Sequence, residues 1–543
     1  LPNYYVFLPE TVLVATALAC AVLGFAWSSK PTRLWGLALG GLVLAAVLTF
    51  DLMGLGLLGA VGVPLWESPV GPSGDFTAEL RVQIDLFALF FHAIFLFVAF
   101  LAILASRGFL RSDEPHQGEY YALMLISVVG MMFTAAATDL FVLFLAFEIS
   151  SLSTFALVAF RKKDRQATEA SAKFFVIGAV SSALILFGIS LVYGIAGASF
   201  DGGGVLAPTA CEGNLTSLHC LRELNFGASG VDPSMEAPLI VALVFLIAGF
   251  GFKVATVPFH MWAPDVYQGS PTAISAFLAA GSKKVGIVAM FRVFLIGLLA
   301  VQIDWLAVLG ILAIATQTVG NVLAIPQRSV KRMLAYSSIA QAGYILIALA
   351  VGAVALLAND PDLSQAERDL ARVVAVTGII GGVLHVLTHA AMKAGAFLVV
   401  AGTESQGMAD DMDSYRGLGR RTPFLAFSMT IFLLSLAGIP PLGGFFSKFV
   451  LFSSAVNAFA FNPWYLALAV SGVLNSALSL YYYARVIWYM YILEPVAEAA
   501  PLRIPRSIAG AVGVALAVVL LVTFLVAFFY DYLAAAAAGF LPF

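Results

Sequence analysis

An all-α polytopic membrane protein of about 14 transmembrane helices is the fold class predicted here, on three observations. Hydrophobic residues make up 61% of the chain and charged residues 11%, a balance that cannot give a soluble globule a polar surface. Apolar runs of about 20 residues, the length needed to span a bilayer, are centred near Ala17, Leu44, Leu96, Val129, Ile149, Leu184, Val244, Val288, Leu312, Leu346, Val386, Phe432, Leu474 and Val519. Their length and their lack of two-residue alternation exclude a β-barrel. The third observation is the placement of Lys and Arg.

Threading alternate loops through these runs puts 16 basic residues on one side, among them Arg107, Arg161, Lys162, Lys163, Arg328, Lys331, Arg332, Arg416 and Arg420. The other side holds 4, Arg81, Arg222, Arg368 and Arg372, and 8 of the 28 remain inside spans. Positive loops face the cytoplasm, so an even number of helices with both termini outside is expected. The net charge of -3 adds little.

The first run, Phe7–Trp27, is too long for the apolar core of a signal peptide and lacks a positive leader, so a mature spanning helix is expected there. Gly54-Leu55-Gly56-Leu57-Leu58-Gly59 matches a dinucleotide fingerprint in form, but no strand-turn-helix context surrounds it; close helix packing is the reading that fits. Cys20 lies in the first run, while Cys211 and Cys220 share a Gly-rich polar loop, 196–236. Three cysteines so placed cannot ligate an iron-sulfur cluster. The loop is placed outside, where Cys211 and Cys220 are either a disulfide or two unpaired thiols. Asn214-Leu215-Thr216 in the same loop has the form of a glycosylation sequon.

Ionisable groups inside the apolar runs carry the chemistry, because a charge at bilayer depth costs about 2.5–3.5 kcal/mol and persists only with a partner or a purpose. Glu148 lies among Leu, Phe and Ala, with Ser150, Ser151, Ser153 and Thr154 following. Lys253, beside Gly249 and Gly251 and five residues before Pro258, is its expected partner. Lys173 is either functional or an interfacial lysine whose stem reaches back to water. Lys283 and Lys284 are adjacent, about 100° apart on a helix, so one is expected to relay protons and the other to be a structural cation.

A second break, Gly438-Ile-Pro440-Pro441-Leu-Gly443-Gly444, precedes Lys448. Proline frees a carbonyl, and freed backbone groups survive in a bilayer only where protein or a wet cavity satisfies them. Paired breaks, at Pro258 and at Pro440–Pro441, point to internal inverted repeats with an ion path near midplane; kinking for packing is the alternative. His385, His389 and Lys393 recur every four residues, one drifting stripe along a helix. Protons can hop along it. Zinc binding is not expected, because no acidic or cysteine ligand accompanies the histidines.

Val257-Pro-Phe-His260-Met-Trp-Ala-Pro264-Asp265-Val-Tyr-Gln-Gly-Ser-Pro271-Thr, Ser282-Lys283, Lys331-Arg332-Met-Leu-Ala-Tyr-Ser-Ser-Ile, Leu436-Ala-Gly-Ile-Pro440-Pro441 and Tyr481-Tyr-Tyr-Ala-Arg485 together resemble the antiporter-like membrane subunits of respiratory complex I (NADH:quinone oxidoreductase), subunit N most of all. The resemblance covers about Tyr120 to Met490. It departs at His389-Ala-Ala-Met-Lys393, which is more similar to the sister subunits L and M.

The resemblance implies fourteen helices with two inverted five-helix repeats, each with a broken helix: an N-terminal segment at 1–116, repeats at 117–302 and 303–492, and a last helix at 493–543. It implies roles too. Glu148 pairs with Lys253, Lys173 lies near them, Lys283 is the central relay, Lys448 is the terminal lysine, and His385, His389 and Lys393 connect the last two. It further implies a proton-translocating role in a bacterial inner membrane with both termini periplasmic, K- and M-type neighbours and lipids as partners, no nucleic acid, and no cofactor or metal in this chain. FMN, iron-sulfur clusters and quinone belong elsewhere in such a complex. The alternatives are a subunit of an Mrp-type cation/proton antiporter or membrane-bound hydrogenase, and a non-pumping structural subunit of the membrane arm.

Overall fold

The computed structural model describes residues 4–27, 31–55, 81–110, 114–201, 215–223, 233–495, 501–524 and 526–541. Cys211, Asn214 and Gly56 to Gly59 lie outside them. Among the described residues the chain is helical, with isolated bridges in place of strands.

The helices are α1 (Leu8–Ala26), α2 (Pro31–Phe50), α3 (Leu86–Phe109), α4 (Gln117–Ala136), α5 (Leu140–Val158), α6 (Arg165–Asp201), α7 (Pro233–Val254), α8 (Trp262–Gly269) and α9 (Thr272–Gly297), which contains π-turns. They continue with α10 (Gln302–Ala324), α11 (Val330–Gly352), α12 (Gln365–Glu404), α13 (Pro423–Ala437), α14 (Gly443–Asn457), α15 (Trp464–Tyr491), α16 (Arg506–Phe524) and α17 (Val526–Phe540). Thirteen of the described helices are long and apolar enough to cross a membrane. The short α13 and α14, in tandem, occupy the place of a fourteenth, as the apolar runs predict.

Leu-, Ala- and Phe-rich runs become helices because a backbone in lipid must satisfy its own hydrogen bonds, and polar residues mark where they start. Asp85 caps α3 through Ala88 N–H (2.7 Å), Asp139 caps α5 through Phe141 and Val142, and Ser329 caps α11 through Arg332. Ser364 and Glu367 close a capping box at α12. Phe141, Leu145, Ile149 and Leu152 form an exposed apolar stripe on α5, the side suited to lipid.

Two helix crossings are pinned by glycine. A Cβ on Gly130 of α4 would meet the Ala146 carbonyl and Ser150 nitrogen of α5, and one on Gly320 of α10 would meet the Tyr336 carbonyl and Ala340 nitrogen of α11. The three positions differ by one offset, 190 residues (130 to 320, 146 to 336, 150 to 340). The same contact is made twice, in register.

α9 is buried along its whole length and forms the centre of the molecule. At one end Thr272 bonds Glu404 at the close of α12; at the other Arg292 meets Asp85 at the start of α3.

Candidate functional site

Both helix breaks lie beside a buried lysine. α7 stops at Val254, and Ala255 takes a left-handed φ of 57°. The carbonyls freed there are reclaimed: Gly251 accepts from Thr256 N–H (2.9 Å) and Phe252 from the Trp262 indole (2.9 Å). Lys253, in the last turn of α7, lies at the negative end of that helix's dipole. α13 ends on Gly438 (φ 86°), and the Leu436 carbonyl beneath it accepts from Lys448 Nζ at 2.8 Å. Of the two, α13 presents a carbonyl to a buried amine, whereas the amine of Lys253, on α7 itself, turns to Ser151 of α5.

Lys253 is buried and donates to Ser151 Oγ at 2.9 Å, with the rings of Phe147, Phe155 and Phe174 at 5.5, 6.0 and 6.0 Å. The expected ion pair with Glu148 is not closed. Glu148, one turn before Ser151 on α5, instead accepts from Ser182 of α6 at 2.6 Å and acts on Lys253 only through space. Ser151 holds the amine that the sequence reading assigned to the carboxylate. Lys173 also stands apart: its side chain is 42% exposed and its amine pairs with Glu169 (2.7 Å) and Asp265 (2.8 Å). It is not brought into contact with Lys253.

α9 approaches Lys253 at Gly286, where a Cβ would sit 3.1 Å from that of the lysine. One turn earlier, Lys283 donates to the Ser338 carbonyl of α11 (3.0 Å), and Lys284 Nζ lies 2.6 Å from His389 Nδ1 of α12. The 100° between the two lysines does not separate them. α11 and α12 lie side by side, so both amines point into the seam between the two halves. Lys284, expected to be either relay or structural cation, is the one that touches the histidine stripe.

The stripe itself is buried throughout. His389 and His385 have ring centres 6.3 Å apart. His385 Nε2 meets Gln341 Oε1 and its Nδ1 meets Ser447 Oγ, both at 2.9 Å. Gln341 donates onward to the Leu436 carbonyl (3.1 Å), which Lys448 shares. Lys448 also donates to Ser476 (3.0 Å) and has the Tyr344 ring 4.6 Å away. Lys393 diverges from the stripe, donating to Ser337 Oγ (2.7 Å), which in turn bonds Tyr483.

Ser337, Ser338 and Gln341 of α11 are thus the hub of the second half, and none was singled out from the sequence. Their signal was the unusual density of uncharged polar residues, Ser337-Ser338-Ile-Ala-Gln341, inside an apolar run. By the 190-residue register, Ser338 occupies in α11 the place that Glu148 occupies in α5.

A polar cavity of about 460 Å³ opens at the Thr272 end of α9, lined by Arg161, Gln268, Thr272, Lys331 and Glu404 among others. Lys331 Nζ and Glu404 Oε1 are 2.5 Å apart. Between cavity and Lys283, Ser270 bonds Ser275 (2.8 Å), Ser275 donates to the Tyr267 carbonyl (2.8 Å), and the buried Tyr267 hydroxyl lies beside Ser338. Among the described residues no group of three or more His, Cys, Asp or Glu could hold a metal. Cys20 is a buried free thiol and Cys220 is disulfide-bonded, so the residues present do not fit an iron-sulfur cluster.

A bundle of about fourteen helices among the described residues, with two broken helices and a file of buried amines and imidazoles between them, defines an ion-translocating membrane protein. The NADH:quinone oxidoreductase/Mrp antiporter transmembrane family matches residues 137–358 and 370–479. The chain belongs to that family. It is 43% identical to F(420)H(2) dehydrogenase subunit N of Methanosarcina mazei, with 98% of each chain covered. It is 37% identical to NADH-quinone oxidoreductase subunit N of Trichlorobacter lovleyi, covering 94% of this chain and 92% of the relative. A chain of respiratory complex I from Thermus thermophilus, solved with bound Aureothin, superposes with a TM-score of 0.71 at 28% identity over 97% of this chain and 100% of that one.

Proposed function

We propose that this chain is the N-type, proton-translocating subunit in the membrane arm of an NADH:quinone oxidoreductase, and that its protons travel on the buried file. The carrying observation is the file of buried polar groups Lys283, Lys284, His389, His385, Gln341 and Lys448, with the Glu404 cavity at the Thr272 end of the same α9. The amines of Lys283, Lys284 and Lys448 and the imidazoles of His389 and His385 take up and release the proton, while Ser338 and Gln341 hold them in place through hydrogen bonds. FMN, iron-sulfur clusters and quinone are assigned to other subunits.

Glu148 supplies the trigger. A unit charge about 4 Å from an amine is worth about 4 kcal/mol at an effective dielectric near 20. Closing the gap between Glu148 and Lys253 therefore holds the proton on Lys253, and opening it again drives the proton towards Lys283. Ser182 and Ser151 are the resting partners that keep the gap open. Lys173, paired with Asp265 and Glu169, serves at the rim.

The 190-residue register supports repeats at 117–302 and 303–492; in this reading an N-terminal segment (1–116) and a C-terminal segment (493–543), which holds the two helices α16 and α17 where one was expected, flank them. The basic loops favour the Glu404 cavity on the cytoplasmic side and both termini on the opposite, periplasmic side, in keeping with a bacterial inner membrane. K- and M-type subunits and lipid are the neighbours in this reading.

Lys253→Ala in the assembled, reconstituted complex tests it. Electron transfer should persist with proton translocation reduced; full translocation would leave this chain a scaffold. A second reading follows from the 43% identity to the Methanosarcina relative: the same pump attached to an F420H2-oxidising complex. Supplying the purified complex with NADH or reduced F420 separates the two.

A further inference from the structure

Glu10 and His92 form a buried acid–imidazole pair outside both repeats. Glu10 lies in the first turn of α1 and His92 in the second turn of α3; they are 2% and 0% exposed. Glu10 Oε1 and His92 Nδ1 are 3.4 Å apart. Neither oxygen of Glu10, nor His92 Nδ1, has a hydrogen-bond partner among the described residues.

The other imidazole nitrogen fixes the proton count. His92 Nε2 lies 2.9 Å from the Met132 carbonyl, which can only accept, so Nε2 carries hydrogen. In a neutral ring Nδ1 is then a bare lone pair facing a carboxylate oxygen. Two acceptors in a buried site repel and stay unsatisfied. One additional proton resolves this, either on Glu10 and donated to Nδ1, or on Nδ1 and donated to the carboxylate. The pair therefore stores a single transferable proton. Moving it between the two atoms breaks one O–H bond, forms one N–H bond, and needs no other reactant.

Its place in the fold gives that proton a role. α9 passes the cavity at Thr272, the midplane lysines at 283 and 284, and Arg292 at its far end; at about 1.5 Å per residue, Thr272 and Arg292 are roughly 30 Å apart. Arg292 donates to the Ala135 carbonyl (2.9 Å) and to Asp85 (2.8 Å), while His92 lies two turns beyond Asp85 on α3. Met132 and Ala135 both belong to the last turns of α4. The charged groups facing the pair are thus Asp85 and Arg292.

We propose that Glu10–His92 is a proton-binding station at the far end of α9, on a branch separate from the His389–Lys448 file, where a proton rests before the outer face. This rests on the proton-transfer reading above.

Two measurements on the reconstituted complex test it. Glu10→Gln keeps a donor to Nδ1, its amide, but carries no transferable proton; proton translocation per electron should fall while assembly and uncoupled electron transfer are retained. Infrared difference spectra of the wild-type complex in H2O and D2O should show an exchangeable carboxyl or imidazolium band that Glu10→Gln abolishes. Wild-type translocation in Glu10→Gln, or no such band, overturns the proposal in favour of a structural clamp. Lys253→Ala, run in parallel, separates the failures: if it too translocates normally, the underlying pump reading falls with the station; if it alone is impaired, only the station falls.

Discussion

Lys284 Nζ and His389 Nδ1 face each other at 2.6 Å across the seam between α9 and α12, both fully enclosed. A contact this short between an amine and an imidazole nitrogen is attractive only when one proton lies between them, so the two residues act as one donor–acceptor unit. In the proposed division Lys284 belongs to the first repeat and His389 to the second. The contact is where the halves of the file join.

Gln341 carries the file beyond that junction, accepting from His385 and donating to the Leu436 carbonyl. Gln341→Leu strands the His385 Nε2 donor, while Lys448 still satisfies the Leu436 carbonyl, a cost of about 1–3 kcal/mol. Proton transfer through the chain should slow on the order of 10²-fold, the size of a lost relay step. Stopped-flow proton release from the reconstituted complex would show it, and an unchanged rate would remove Gln341 from the route.

Gly438 and Gly407 both have positive φ, 86° and 78°, but only at Gly438 does an added Cβ reach Lys448 Cδ, at 3.3 Å; Gly407 has open space. Alanine at either site should cost about 1–2 kcal/mol in backbone strain. Only Gly438→Ala should also impair proton translocation, because it displaces the amine. Equal translocation in the two variants, alongside equal losses in melting temperature, would argue against a role for the Lys448–Leu436 contact.

Arg292 and Asp85 are a buried pair at 2.8 Å. Removing one partner strands the other's charge, so Arg292→Met should destabilise by about 3–5 kcal/mol and lower the yield of assembled complex on native gels. Asp85→Asn added to Arg292→Met should recover part of that loss. A double variant worse than the single would mean the two charges do not compensate each other.

Asp410, in the loop after α12, is pushed above the ordinary aspartate range by burial, which outweighs the hydrogen bonds from Ser329 and the Lys331 N–H. A carboxyl with a raised folded-state pKa binds protons more tightly folded than unfolded, so its contribution to stability is lost as pH rises through that pKa. Asp410→Asn should therefore gain stability over the native chain at pH 7 relative to pH 4, followed by thermal melting. A pH-independent difference would contradict this.

The spanning helices and most of the site were legible because hydropathy and charge are local properties: Lys253, Lys448, His385 and His389 each stand out inside an apolar run. What was not legible depends on which way helices turn towards each other. Ser337, Ser338 and Gln341 carry no charge to draw notice, yet α11 packs so that each meets a titratable side chain. Lys283 was ranked above Lys284 only by the family resemblance, since an angle on one helix says nothing about where two neighbours lie, and it is Lys284 that meets His389. Glu148 and Lys253 were paired by charge, and a serine one turn away intervened. Glu10 and His92 are 82 residues apart in sequence and only the packing of α1 and α3 against α4 brings them together.

The central claim is that one proton path crosses the seam at Lys284, and the most direct measurement is the ratio of protons translocated to electrons transferred in vesicles carrying the Lys284→Met complex. The account predicts that electron transfer with an uncoupler stays near the native rate while the ratio falls. A native ratio in a fully assembled Lys284→Met complex would contradict it.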